Sequence, residues 1–173
     1  MDVKDYIRTI PDFPAKGVMF RDVTTVLQDA QGFRLAIDQL QKLVEDIDFD
    51  VIVGIESRGF LFGTSIAYNL NKAFVPVRKK GKLPFNTIEQ EYSLEYGNAV
   101  IEMHSDAIKP GQRVVIIDDL IATGGTVKAA AQLVERLGGS VEKAVFLIEL
   151  PFFKGRELLS GYNVGSVVQF DGE

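Results

Sequence analysis

An α/β fold with a parallel central sheet flanked by helices is predicted by three features of this 173-residue chain. Short, continuously apolar runs bounded by turn residues recur along it, the pattern of strands buried on both faces. Stretches with apolar residues at helical spacing alternate with those runs, as strand–helix units require. Loops carrying acids, bases and glycine follow the runs, at the carboxyl ends of parallel strands where such sheets bind ligands.

Taken in order, a short N-terminal helix comes first. Pro11-Asp12-Phe13-Pro14 then forces extended backbone, because each proline disfavours helix in the residue before it, and residues 11–25 are predicted as a loop-rich lobe. From Phe33, the apolar residues Ile37, Leu40, Val44 and Ile47 fall at helical spacing and predict an amphipathic helix lying on a sheet. Residues 51–55 read as a buried strand, Ser57-Arg58-Gly59 as a loop, and Leu61, Ile66 and Leu70 as the apolar positions of a following helix. Residues 73–77 make a second strand. In residues 86–103 the apolar positions alternate, turn at Tyr96-Gly97-Asn98 and alternate again, which predicts an antiparallel hairpin and a candidate lid. Residues 113–117 form a third core strand feeding Asp118 and Asp119, with a helix from 126 to 137 and a fourth strand over 141–150. Function is expected in the loops after residues 55, 77 and 117.

Composition bounds what such a fold can do. Hydrophobic residues make up 46% and charged residues 25%, enough apolar content for one packed domain spanning 1–173 and too little chain for a second. A net charge of −5 repels a nucleic-acid backbone, so an anionic ligand has to be caught by a local site. The absence of cysteine excludes disulfides, thiolate catalysis and cysteine-ligated metals. No signal peptide or membrane-spanning run is visible, and a cytoplasmic protein is expected.

The most informative stretch is residues 114–126, an apolar strand followed by Asp118-Asp119-Leu120-Ile121-Ala122-Thr123-Gly124-Gly125-Thr126. Glycine lets backbone approach a ligand, while helix-start N–H groups and two threonine hydroxyls donate to an anion. The carboxylates can accept hydrogen bonds from vicinal sugar hydroxyls, so a phosphorylated ribose satisfies both halves. The alternative is a helix capped by Thr123 with two solvated acids. Neither a Walker pattern nor Gly-x-Gly-x-x-Gly occurs, which leaves nucleotide hydrolysis and dinucleotide binding unsupported.

These thirteen residues resemble the signature of type I phosphoribosyltransferases, which bind 5-phosphoribosyl-1-pyrophosphate (PRPP). From about residue 10 to 160 the chain resembles the adenine phosphoribosyltransferases, on Pro11-Asp12-Phe13-Pro14 with Gly17 to Asp22, Ser57 to Gly63, Arg78 to Pro84, and Tyr92 to Gly97. The resemblance implies purine salvage by transfer of the phosphoribosyl group of PRPP to N9 of adenine, giving AMP and pyrophosphate. It implies a hood over about residues 1–30, a mobile flap over about 82–104, a homodimer, and Mg2+ held mainly by PRPP and water rather than by protein ligands.

It also implies roles for individual residues. Asp118, Asp119, Ala122, Thr123, Gly124, Gly125 and Thr126 bind the phosphoribosyl group, and Ser57 and Arg58 face the pyrophosphate, with a non-proline cis peptide near Glu56-Ser57. The basic run Arg78, Lys79 and Lys82 clamps the polyphosphate, with Arg78 extending towards the partner subunit's site. Phe20 stacks on adenine with Leu150 opposite, and backbone groups of Met19 and Arg21 pair with the base edge. Glu95 manages the proton on the purine N7 side, and Arg58 shares the catalytic work by stabilising departing charge. His104 matches no family element and reads as surface. Two rivals share the PRPP site: a 6-oxopurine or xanthine enzyme with a different hood, and a PRPP-sensing regulator, which would need a DNA-binding module and a basic face that this chain does not offer.

Overall fold

The computed structural model describes residues 1–94 and 96–172; Glu95 and Glu173, and with Glu95 the expectation placed on it, lie outside the described residues. A 3-10 turn at Val3–Tyr6 leads into β1 (Arg8–Pro11), β2 (Met19–Asp22), α1 (Thr24–Leu27), α2 (Ala30–Lys42), β3 (Val51–Ile55), α3 (Arg58–Leu70) and β4 (Ala73–Lys79). Then follow β5 (Thr87–Ser93), β6 (Asn98–His104), β7 (Arg113–Ile121), α4 (Gly125–Arg136), β8 (Ser140–Glu149), α5 (Gly155–Leu158) and β9 (Val164–Gln169).

Seven strands make one sheet in the order β5-β6-β4-β3-β7-β8-β9, and β4, β3, β7, β8 and β9 run parallel. Successive residues of a strand face opposite sides, and both sides are covered. Val51, Val53, Ile116 and Phe146 pack towards α4, while Ile52, Val115, Ile117 and Leu147 pack towards α2 and α3. Burial on both faces is why these strands carry no polar alternation. The expected hairpin is present, and β6 pairs antiparallel with β4, so it is an edge of the main sheet.

Five expectations need correction. Residues 11–25 are not loop alone, because β1 and β2 pair antiparallel with Arg8 opposite Asp22 and Pro11 opposite Met19. The helix expected to reach Ile47 ends at Lys42; Val44 is still fully buried, but by the turns that follow. Leu61 lies on the exposed side of α3, and Phe62 takes the core position. β7 does not stop at Ile117: its pairing with β8 runs on through Asp118 to Ile121, opposite Glu149. His104 is half-buried rather than simply surface, its Nε2 accepting the Phe85 N–H at 3.3 Å.

The small β1–β2 sheet is closed and tied to the start of α1 by Asp22, which accepts from Arg8 Nη2 at 2.6 Å and from the Thr24 hydroxyl at 2.6 Å. The Thr24 and Arg8 hydrogen bonds hold its carboxyl down at about 2, below the usual aspartate value near 3.9. A folded-state value below the unfolded one stabilises above the unfolded value, and that stability is lost as pH falls through the folded value. Thermal unfolding of the wild type is therefore expected to weaken between about pH 4 and pH 2, and Asp22→Asn should lower the Tm at pH 7 and flatten the Tm profile in that window. An unchanged profile would remove Asp22 from this role.

Candidate active site

At the carboxyl ends of β3, β4 and β7 the loops enclose a cleft of about 330 Å³. Ser57, Arg58, Arg78, Lys79, Asp118, Asp119 and Thr126 line it together, although they come from three separate stretches of sequence. β3 has β4 on one side and β7 on the other, with α3 and α4 on opposite faces, which places the cleft where the strand order reverses.

The Glu56–Ser57 peptide is cis. Ser57 precedes α3 without capping it by its side chain, which leaves its hydroxyl for a ligand. The helix comes close to β7 because residue 59 is glycine: a Cβ there would stand 2.8 Å from Asp118 Oδ1 and 3.0 Å from the Ile117 carbonyl oxygen. Arg58 Nε donates to Asp119 Oδ2 at 2.5 Å across this contact. The arginine side chain is 49% exposed and the aspartate's only 8%, so the pair sits at the cleft floor with one side open.

Asp118 lies deeper, and burial pushes its carboxyl well above the usual range. The neighbouring Asp119 charge adds to that push, and the Asp119 N–H and Arg58 act against it. Two carboxyls this close favour a state with fewer than two negative charges until a cation or hydroxyl donors arrive.

On the opposite wall Arg78 Nε donates to Glu56 Oε1 at 2.7 Å within its own chain. Against the upward push of burial, that bond holds the Glu56 carboxyl below its usual range. Lys82 stands apart at the root of the hairpin and does not line the cleft. There the buried Glu102 accepts the Leu83 N–H at 2.8 Å and hydrogen bonds from the Gly81 and Lys82 backbone, which shapes the basic loop.

The residues after β7 form the expected helix-start cradle. Gly124 takes a left-handed conformation with φ 85°, and no side chain caps α4, so its first N–H groups and the Thr123 and Thr126 hydroxyls are not spent on a cap. Thr123 and Thr126 border a second cavity of about 480 Å³ with Tyr92, Ser93, Leu94 and Phe153. Phe153 also borders a third, apolar cavity of about 290 Å³ with Gly17, Val18, Met19, Leu150 and Phe152. Shared walls at Tyr92, Thr126 and Phe153 set the three side by side, and this row of cavities, the trough, runs from the basic loop to the β1–β2 hairpin.

Met19 and Leu150 thus meet in one cavity. Phe20 does not line it; its ring stands edge-on to Phe13 at 5.1 Å. The Arg21 guanidinium is taken up by the Thr9 hydroxyl at 2.6 Å and the Phe170 ring at 4.2 Å. Ala122 and Gly125 complete the cradle, Ala122 beside Gly155 and Gly125 near the Tyr92 ring. Sequence reasoning missed Phe152 and Phe153, whose signal was an aromatic pair directly after a strand-ending proline, and the Glu56–Arg78 pair, which has no local signal. Among the described residues no group of three or more His, Cys, Asp or Glu side chains converges to hold a metal, and no helix is long and apolar enough to cross a membrane.

The family model described as the phosphoribosyl transferase domain matches residues 22–157. An adenine phosphoribosyltransferase of Lachnoclostridium phytofermentans is 63% identical over 171 residues, covering 99% of this chain and 98% of that protein. The crystal structure of adenine phosphoribosyltransferase from Thermoanaerobacter pseudethanolicus superposes with a TM-score of 0.95 at 54% identity, covering 97% and 98% of the two chains. The Saccharomyces cerevisiae enzyme, solved with an imino-altritol bisphosphate and adenine, superposes with a TM-score of 0.90 at 39% identity, covering 96% of each.

Proposed function

The chain belongs to the adenine phosphoribosyltransferases, and from that premise we propose that the trough holds PRPP at the Asp118–Thr126 loop and adenine at the hairpin end. The enzyme transfers the phosphoribosyl group of PRPP to N9 of adenine, giving AMP and pyrophosphate, a step of purine salvage. The observation that carries the site assignment is the convergence of three cations, an acid pair and an uncapped helix start in one cleft.

The 5-phosphate sits on the α4 N-terminus, where N–H groups and the Thr123 and Thr126 hydroxyls donate to it. The ribose hydroxyls donate to Asp119 and Asp118. When they do, Asp119 exchanges the Arg58 guanidinium for sugar, and Arg58 turns with Ser57 to the pyrophosphate. Arg78 and Lys79 meet the same charge from the opposite wall. Lys82 follows when the hairpin, serving as flap over about 82–104, closes. Attack by N9 on C1 breaks the C1–pyrophosphate bond through an oxocarbenium-like state, so these cations stabilise charge that appears as the bond breaks. Glu95 handles the proton on the N7 side. Phe20 and Leu150 flank the base with the Met19 and Arg21 backbone on its edge, Phe20 turning from Phe13 to do so.

Mg2+ would supply charge neutralisation on the pyrophosphate, held mainly by PRPP and water, and Asp118 and Asp119 would suit the one or two carboxylates that a hard, water-retaining ion takes. The chain forms a single domain with its hood over about 1–30, works as a homodimer and resides in the cytoplasm. The test supplies PRPP and Mg2+ with adenine, hypoxanthine, guanine and xanthine in parallel, and quantifies nucleotide and pyrophosphate. AMP from adenine alone is expected; product from a 6-oxopurine would overturn the base-pocket assignment.

A further inference from the structure

The segment between β8 and β9 touches both halves of the trough. Leu150, Phe152 and Phe153 wall its base end. Two residues after Phe153, Gly155 lies directly under the phosphate loop: a Cβ there would meet the Ala122 carbonyl oxygen at 2.5 Å, and one on Gly124 would meet the Gly155 carbonyl oxygen at 3.1 Å. Backbone contact this close transmits displacement, because packed interiors yield little.

What fixes this strap is a buried carboxylate outside the trough. Glu149, only 5% exposed, accepts Arg156 Nε at 2.7 Å and Arg156 Nη2 at 2.8 Å, a two-pronged pair that closes residues 149–156 into a loop. The same carboxylate accepts the Ser166 hydroxyl at 2.7 Å and Gln169 Nε2 at 3.2 Å, both from β9, and Arg156 Nη1 donates to the Val164 carbonyl at 2.8 Å. Paired forks of this kind fix direction as well as distance.

We propose that Glu149 and Arg156 are positioning residues: anchored to β9, they set the strap that places Leu150 and Phe153 against the base and supports the phosphate loop from beneath. The proposal rests on the adenine-site reading above, and it gives the C-terminal strand a part in substrate recognition.

The test uses the full chain with Arg156→Gln, Arg156→Lys and the remote Ser166→Ala. Steady-state kinetics vary adenine and PRPP separately, and hydrogen exchange is followed over residues 122–126 and 150–159. Arg156→Gln is expected to raise the KM for adenine about tenfold with a smaller change in kcat, within the roughly 10²-fold that a 1 Å misplacement can cost. Exchange should quicken in both segments and in few others. Arg156→Lys, keeping charge but not the fork, and Ser166→Ala should fall between it and the wild type. A lower Tm with unchanged KM for adenine and unchanged exchange at 122–126 would mean a purely structural role and overturn the proposal. Should the wild type ignore adenine, the base assignment fails, while the exchange pattern of the variants still decides whether the strap supports the phosphate loop.

Discussion

Asp118→Asn combined with Asp119→Asn is expected to lower kcat/KM for PRPP by roughly 10² to 10⁴, because two hydrogen bonds to charged acceptors are worth about 1.5–3 kcal/mol each and 1.4 kcal/mol is tenfold. The KM for adenine should move far less. The fold should survive, for reasons visible in the cleft. Burial already penalises the charged form of the Asp118 carboxyl, so an amide of the same shape costs the fold little at that position. Asp119 loses its bond to Arg58, but that side chain is half exposed and is taken up by water. Steady-state kinetics with PRPP varied, set beside a thermal melt, separates the two effects. Unchanged kinetics in a folded double variant would take the acid pair out of the ribose site.

Arg58 gives this prediction a second readout. In the structure Arg58 pairs with Asp119, and in the proposed complex it faces pyrophosphate. Losing the acid pair therefore frees Arg58 in advance, and pyrophosphate alone should bind the double variant no worse than the wild type. PRPP, which needs the ribose contacts, should bind worse.

How much of this was legible in the sequence depended on whether the determining contacts are local. Strands β3, β7 and β8 were readable because burial on both faces leaves unbroken apolar runs, and the 118–126 loop because acids, small residues and threonines stand in one short stretch. β1 and β2 were not readable: each has four residues, Pro11 and Pro14 flag loop, and their pairing depends on Asp22 reaching Arg8 fourteen residues away. The end of β7 was placed too early because acids signal exposure, whereas pairing to Ile148 and Glu149 on the neighbouring strand carries the ladder past them. The Glu149 network lay beyond sequence reasoning for the same reason. Its partners at 156, 166 and 169 follow no helical or strand period, and only the parallel docking of β9 beside β8 brings them together.

Glu95→Gln is expected to act on turnover where the aspartate variants act on binding. Glu95 itself lies outside the described residues, but Ser93 and Leu94 just before it border the cavity that Thr123, Thr126 and Phe153 share. Adenine attacks through the unprotonated N9 of its N7–H tautomer, and as the C1–N9 bond forms and pyrophosphate departs a carboxylate on the N7 side can accept the N7 proton. Removing a positioned acid or base costs roughly 10² to 10⁴ in rate. Glutamine keeps the size and one acceptor oxygen, so kcat should fall on that scale while the KM values for PRPP and adenine stay within about threefold, the pattern of an interaction made only in the transition state. The pH profile of kcat separates this role from simple flap closure. A proton-handling Glu95 gives the wild type an acid limb that Glu95→Gln lacks, whereas a flap contact lowers the whole profile without changing its shape. A variant with wild-type kcat would return the proton to water or to the pyrophosphate side of the cleft.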